Sequence, residues 1–288
     1  MKKVLVTGAS GQLGRCFQKI TSEYPELKFK SLDSSELDIT DENLLQQIFS
    51  AEKPDYCINC AAYTNVEKAE DDKETAFKIN AEGVKKLAEV CKTAGTVLIH
   101  FSTDYVFDGK ASEPYQETDK VNPINVYGAS KLKGEEYIRQ ILDKYFIFRT
   151  SWLYSEFGHN FFNTILKKAE EGASLNITTN QIGTPTNAND LANFVLQLIN
   201  EENTHFGLYH YSNTGEATWF DFAKAILDLA GKSKEVDINK SGYYKTRAKR
   251  PVFSVLNKNK LQQNLRKPVL NWRDSLEDLI TNRSRKFK

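Results

Sequence analysis

Lys3-Val4-Leu5-Val6-Thr7-Gly8-Ala9-Ser10-Gly11-Gln12-Leu13-Gly14 decides the fold. The largely apolar opening predicts a short buried strand, and the pattern running on to Ile20 predicts a helix, with three glycines between them. A strand, a sharp glycine turn and a helix start expose backbone amides at one point, where a pyrophosphate can sit. The spacing is G-x-x-G-x-x-G, not the commoner G-x-G-x-x-G. A second strand ends at Asp33, about 20 residues on, where a carboxylate can accept hydrogen bonds from an adenosine ribose.

Outward from this unit, strands are predicted near 3–7, 28–33, 55–59, 96–101 and 145–149. Helices are predicted near 12–21, 41–51, 73–93 and 125–143, the third carrying Ala76, Ile79, Gly83, Leu87, Ala88 and Cys91 at helical spacing. This alternation implies right-handed β-α-β units and an α/β fold: a Rossmann-type doubly wound parallel sheet with a smaller C-terminal substrate-binding lobe. The glycine loop, Asp33, Asn59 and Thr103 then fall at the carboxyl ends of strands, where open sheets bind ligands.

After Arg149 the pattern is less regular, with helices near 160–171, 188–200 and 218–230 and a turn at Gly183-Thr184-Pro185-Thr186. The basic stretch 232–258, with Tyr243, Tyr244, Lys245, Arg247, Lys249 and Arg250, is expected to be loop. Residues 1–150 are read as the dinucleotide-binding domain and 151–288 as the substrate lobe, interwoven with the first.

An apolar share of 40% in 288 residues suffices for a sizeable core, and a net charge of +1 gives no electrostatic case for nucleic acid or a membrane surface. Without an 18-residue apolar run, and with Met1-Lys2-Lys3 leading directly into a strand, neither a membrane span nor a signal peptide is predicted; the cytoplasm is expected. Of the cysteines Cys16, Cys57, Cys60 and Cys91, the pair Cys57 and Cys60 has C-x-x-C spacing. It lies at a buried strand where positions three apart face opposite sides, so reduced core thiols are expected and no metal.

Tyr127-Gly128-Ala129-Ser130-Lys131 puts a phenol and an ammonium one helical turn apart on the same face. A phenol with a pKa near ~10 is a poor proton donor at neutral pH, and an adjacent cation is expected to pull that value down.

The glycine triad, Tyr127 with Lys131, and Ser102-Thr103-Asp104 after the apolar strand together resemble the extended short-chain dehydrogenase/reductase superfamily. Closer wording is carried by Leu37-Asp38-Ile39-Thr40-Asp41, Asn59-Cys60-Ala61-Ala62-Tyr63-Thr64, Ser102-Thr103-Asp104-Tyr105-Val106-Phe107, Asn125-Val126-Tyr127-Gly128, Phe148-Arg149-Thr150-Ser151-Trp152 and Arg250-Pro251. It is similar to the dTDP-4-dehydrorhamnose reductase family from Val4 to about Ile280.

The resemblance implies reduction of the C4 ketone of dTDP-4-dehydro-L-rhamnose to dTDP-L-rhamnose by NADH or NADPH, for polysaccharide precursors. Tyr127 would deliver the proton, Thr103 would bond the same oxygen, Lys131 would hold the nicotinamide ribose, and Asn80 would organise the active-site helix. The cofactor would meet Gly8, Ser10, Gly11, Gln12, Leu13, Gly14, Asp33, Asp38, Ile39, Ala61, Ala62, Tyr63, Tyr127 and Lys131. Thr64, Val66, Asp104, Tyr105 and Trp152 would line the sugar pocket, and Arg250 would bind the diphosphate.

Asp33 favours a free ribose 2′-hydroxyl and so NADH, whereas Arg15 and Ser34 or Ser35 can accommodate the 2′-phosphate of NADPH. Some family members form a magnesium-bridged dimer through glutamates that would fall near Cys16 and Asn189; neither is a carboxylate here, so a monomer or a metal-independent homodimer is expected. Three alternatives stay open: another nucleotide-keto-sugar reductase, an epimerase, or a non-catalytic NADP-binding subunit like that of methionine adenosyltransferase. A dehydratase is disfavoured because Tyr105 stands where a second acid is usual.

Overall fold

A computed structural model describes residues 1–242 and 245–285; Tyr243 and Tyr244 of the basic stretch lie outside the described residues. The first half runs β1 (Lys2–Thr7), α1 (Gln12–Ile20), β2 (Leu27–Leu32), α2 (Glu42–Glu52), β3 (Tyr56–Asn59), α3 (Val66–Ala69), α4 (Lys73–Phe77), α5 (Val84–Ala94), β4 (Val97–Thr103), α6 (Val126–Ile141) and β5 (Tyr145–Thr150). Then come β6 (Leu153–Tyr154), α7 (Phe161–Glu170), β7 (Leu175–Thr178), β8 (Ile182–Gly183), β9 (Thr186–Asn187), α8 (Ala188–Asn200), β10 (Gly207–His210) and β11 (Ala217–Thr218). The chain closes with α9 (Trp219–Leu229), β12 (Ile238–Ser241), α10 (Asn259–Leu265) and α11 (Trp272–Arg285).

Six parallel strands form one sheet in the order β2-β1-β3-β4-β5-β10. Each inner strand is apolar on both faces, as a sheet covered by helices on both sides requires. Val4, Val6 and Ile58 meet α1 and α8 on one side; Leu5 and Cys57 meet α2, α5 and α6 on the other. Phe17 of α1 is fully buried in the first layer, a site where truncation to alanine typically costs about 3–5 kcal/mol. The chain leaves β1 outward to β2 and returns on its other side to β3, so the sheet's topological switch lies beside the glycine loop.

Residues after 150 do not stay in one lobe. Helix α8 packs on α1, and β10 forms the sheet edge next to β5. A separate core of α7, α9, α11 and β7, built on Phe162, Phe222, Ile226, Trp272 and Leu276, makes the second body. Among the described residues no helix is long and apolar enough to cross a membrane.

Three expectations are corrected. The single helix near 73–93 is α4, a π-helical turn at Lys78–Gly83, and α5. Asn80 sits in that turn with its side chain committed to the Tyr63 backbone and to Ser130, and the Asn80 carbonyl lies 2.3 Å from where a Cβ on Gly134 would stand. Accommodating α6 this closely widens the helix, a distortion that periodicity does not encode. The basic stretch also holds β12, which pairs in parallel with β7. Finally, Cys60 falls just past the end of β3 and is only partly buried, unlike the other three thiols.

Candidate active site

The turn after β1 requires glycine at position 8, where φ is +63° and a Cβ would lie 2.5 Å from the Ala61 nitrogen. Helix α1 then starts at Gly11 with no side chain capping it. Its leading N–H groups therefore have no side-chain cap to satisfy them, as an anionic ligand at a helix N-terminus needs. Two spaces meet at this loop. One, of about 530 Å³, is bounded by Ser10, Arg15, Asp33 and Glu36. The other, of about 510 Å³, runs from Gly11, Gln12 and Leu13 over the ends of β3 and β4 to the second body. A groove this long, with uncapped amides in the middle and a carboxylate at one end, fits a dinucleotide.

The second space gathers Ala62, Thr64, Val66, Thr103, Asp104, Tyr105, Tyr127, Lys131, Trp152 and Arg250 from the residues expected on sequence. Gly8 and Gly14 form the turn beneath the groove. Ala61 packs against that turn, and Tyr63 is tied to Asn80. Asp38 caps Thr40, Ile39 is in the core, and Asn80 is fully buried behind α6. The structure thus separates groups on the groove wall from groups that shape it from behind.

Helix α6 is placed by its cap and by a glycine. Asn125 accepts from the Gly128 N–H at 2.7 Å and donates to the Lys249 carbonyl at 2.8 Å, joining the helix to the loop that carries Arg250. A Cβ on Gly128 would stand 2.1 Å from the Tyr105 carbonyl, so only glycine lets α6 approach the end of β4. Arg250 donates to Glu67 at 2.8 Å, and Glu67 also accepts from the Arg247 and Ala248 N–H groups. Burial works against the Glu67 carboxylate, but these bonds hold its pKa below the ordinary value. Further inward, the Glu135 carboxylate of α6 and the Arg149 guanidinium of β5 form a buried ion pair at 2.7 Å.

At the inner end of the groove burial displaces the titrations of its side chains. Burial pushes the Asp104 carboxyl up to about 7, offset in part by the Ser254 and Thr103 hydroxyls. The Thr103 hydroxyl donates to Asp104 at 3.1 Å and accepts from the Tyr105 N–H. Asp104 Oδ2 is buried with no hydrogen-bond partner among the described residues. The expected lowering of the Tyr127 phenol by Lys131 is corrected. Burial and the Asp104 carboxyl raise it, the neighbouring Thr103 hydroxyl offsets only part of this, and Lys131 is itself lowered to about 8 by burial. Desolvation penalises both charged forms at once, a balance that one-turn spacing does not reveal.

Trp219, Asn160 and the buried His100 were not read from the sequence. Trp152, held at φ +46°, stacks on Trp219 with ring centroids 3.7 Å apart, and a Cβ on Gly183 would clash with the Trp152 ring. Asn160 donates to Gln12 at 2.6 Å across the groove. Asn59 and His100 form a buried chain to Lys131. His100 alone left a signal, a histidine inside an apolar strand; Trp219 and Asn160 come from distant segments without local pattern.

A doubly wound parallel sheet, a glycine loop at its switch point and a Tyr-x-x-x-Lys helix beside a strand-end threonine define an NAD(P)-dependent oxidoreductase of the extended short-chain dehydrogenase/reductase type. The profile of the RmlD substrate binding domain matches residues 1–285. The dTDP-4-dehydrorhamnose reductase of Aggregatibacter actinomycetemcomitans is 38% identical, over 97% of this chain and 98% of its own. Crystal structures of a dTDP-4-dehydrorhamnose reductase from Clostridium acetobutylicum and of one from Bacillus anthracis in complex with NADP both superpose with a TM-score of 0.92. They are 38% and 37% identical, cover 98% of this chain, and are covered over 99% and 100% of theirs. The chain belongs to the dTDP-4-dehydrorhamnose reductase family.

Proposed function

We propose that this protein reduces the C4 ketone of dTDP-4-dehydro-L-rhamnose to the alcohol of dTDP-L-rhamnose, with Tyr127 as proton donor. The reading is supported above all by one cleft that holds Thr103, Asp104, Tyr127 and Lys131 beside the glycine loop. A bound NAD(P)H supplies the hydride. Tyr127 gives its proton to the carbonyl oxygen, and its raised pKa keeps it in the phenol form that reduction needs. Thr103 turns its hydroxyl from Asp104 towards the same oxygen. Lys131 contacts the nicotinamide ribose, and Asn80 positions α6 through Ser130. Asp104, Tyr105, Thr64, Val66 and Trp152 receive the sugar, and Arg250 the diphosphate. The body around the parallel sheet binds the cofactor, and segments after 151 close the cleft over the sugar.

NADH is the preferred cofactor in this reading. Asp33 and Glu36 both bound the space where a 2′-phosphate would lie, and Arg15 is drawn over the Phe157 ring at 4.4 Å. Assembly is independent of magnesium. Cys16 is buried, Asn189 donates to Glu156 at 2.9 Å, and the Lys19 ammonium already supplies a cation to Glu156 at 2.7 Å. The cytoplasm, where nucleotide sugars are made, is the proposed location.

The test is to follow NADH and NADPH absorbance when the protein meets dTDP-4-dehydrorhamnose. Oxidation with formation of dTDP-rhamnose, faster with NADH, is expected. Cofactor binding without oxidation would favour a non-catalytic subunit instead.

A further inference from the structure

Lys131 is 3% exposed, and its Nζ lies 3.3 Å from Nε2 of His100, a fully buried residue of β4. The direction of this hydrogen bond is set two residues away. The backbone N–H of Ala61 can only donate, and it meets Asn59 Oδ1 at 3.2 Å; the Thr7 hydroxyl meets the same oxygen at 2.7 Å. This fixes the Asn59 amide, whose Nδ2 then faces His100 Nδ1 at 3.0 Å as a donor. His100 Nδ1 must accept. Burial holds the His100 pKa well below its ordinary value, so the ring is neutral and carries one proton. That proton is on Nε2, pointing at Lys131. An ammonium has three donors and no acceptor and would oppose it, whereas a neutral amine offers a lone pair.

We propose that His100, with its tautomer locked by Asn59, favours the neutral amine form of Lys131 in the cofactor-free protein, so that at alkaline pH Lys131 takes up a proton from solvent when the cofactor binds. The proposal rests on the reading of Lys131 as a cofactor contact. The incoming pyrophosphate carries the negative charge that favours the ammonium. The other groups facing Lys131 agree with this polarity. Cys60, past the end of β3, is a thiol kept neutral by burial; Glu135, one turn along α6, is spent on Arg149; Tyr127, one turn before, is a neutral phenol. Burial lowers Lys131 to about 8, against the upward pull of Glu135. His100 is therefore a positioning residue that sets the charge of its neighbour.

Nitrogen NMR of histidine-labelled protein reads the tautomer directly. The chain has four histidines, and a His100→Gln spectrum assigns the signal. The cofactor-free protein should show a bare Nδ1 and a protonated Nε2; the opposite tautomer would overturn the proposal. Calorimetry of NADH binding in buffers of different ionisation enthalpy counts protons. Uptake of most of one proton at pH 9 and little at pH 6.5 is expected, with affinity weakening by up to about tenfold per pH unit above pH 8. Absent or pH-independent uptake would sink it. In Asn59→Asp, the new carboxylate accepts from His100 Nδ1–H and turns the Nε2 lone pair towards Lys131, so proton uptake should fall below half; wild-type uptake in that variant would also overturn it. If Lys131→Met binds NADH as tightly as the unaltered chain, it is the cofactor-contact reading that fails, while the His100 tautomer still judges this one.

Discussion

The two ends of the groove use the same kinds of side chain to opposite effect. At the outer end Asp33 is solvated, and its carboxylate is held below the ordinary range by the Ser35 hydroxyl and N–H. At the inner end Asp104 is buried, and despite the Ser254 and Thr103 hydroxyls its pKa is raised to about 7. One carboxylate is stabilised as an anion and the other as an acid, although the sequence shows an aspartate after a strand in both places. Desolvation separates them, so alterations at the inner end should have large effects and those at the outer end small ones.

The strongest test of this contrast is Tyr127→Phe. It removes the inner proton donor with little change in volume and should lower kcat by about 10²–10⁴-fold, while NADH affinity measured by fluorescence stays near the starting value. Retained turnover would break the mechanism.

Next comes Asp104→Asn. The native Asp104 carboxyl binds its proton more tightly than the unfolded one, so between about pH 4 and 7 the native state holds more protons. Stability from this residue therefore falls as pH rises through that window, by on the order of 4 kcal/mol. Denaturant titrations from pH 4 to 8 should show the asparagine variant gaining on the unaltered protein as pH increases. Parallel pH curves for the two would remove the contrast.

Asp33→Ala should do least, shifting the ratio of kcat/KM for NADH over NADPH by about fivefold towards NADPH. Steady-state rates with each cofactor decide it, and a shift of several orders of magnitude would show that the outer carboxylate is not the solvated group described.

What was legible in the sequence follows the same division. The strand, turn and helix from Lys3 to Ile20, the alternation up to Thr150 and the Tyr127–Lys131 pair could be read because they rest on local pattern: glycine spacing, apolar runs and one-turn pairs; Thr64, Val66, Asp104, Tyr105, Trp152 and Arg250 came only from the wording shared with the family. The π turn at Asn80 could not, because its cause is Gly134, 54 positions away and pressed against the Asn80 carbonyl. Strand β10 was missed because four residues give too little alternation, and its pairing with β5 depends on the chain returning through α8. Charge states were least legible. Spacing placed Tyr127 beside Lys131, but burial depth and the Asp104 carboxyl, which control both, are properties of the assembled groove.

The stacked indoles of Trp152 and Trp219 form the wall where the sugar is expected, whereas the third tryptophan, Trp272, is buried edge-on to Phe222 in the second body. At a spacing of 3.7 Å and an interplanar angle of 7° the two rings are close enough to couple as one chromophore. The protein thereby carries a built-in optical gauge: the near-ultraviolet circular dichroism of this pair is expected to change when a ligand enters beside it, with Trp272 as an internal reference and no added label.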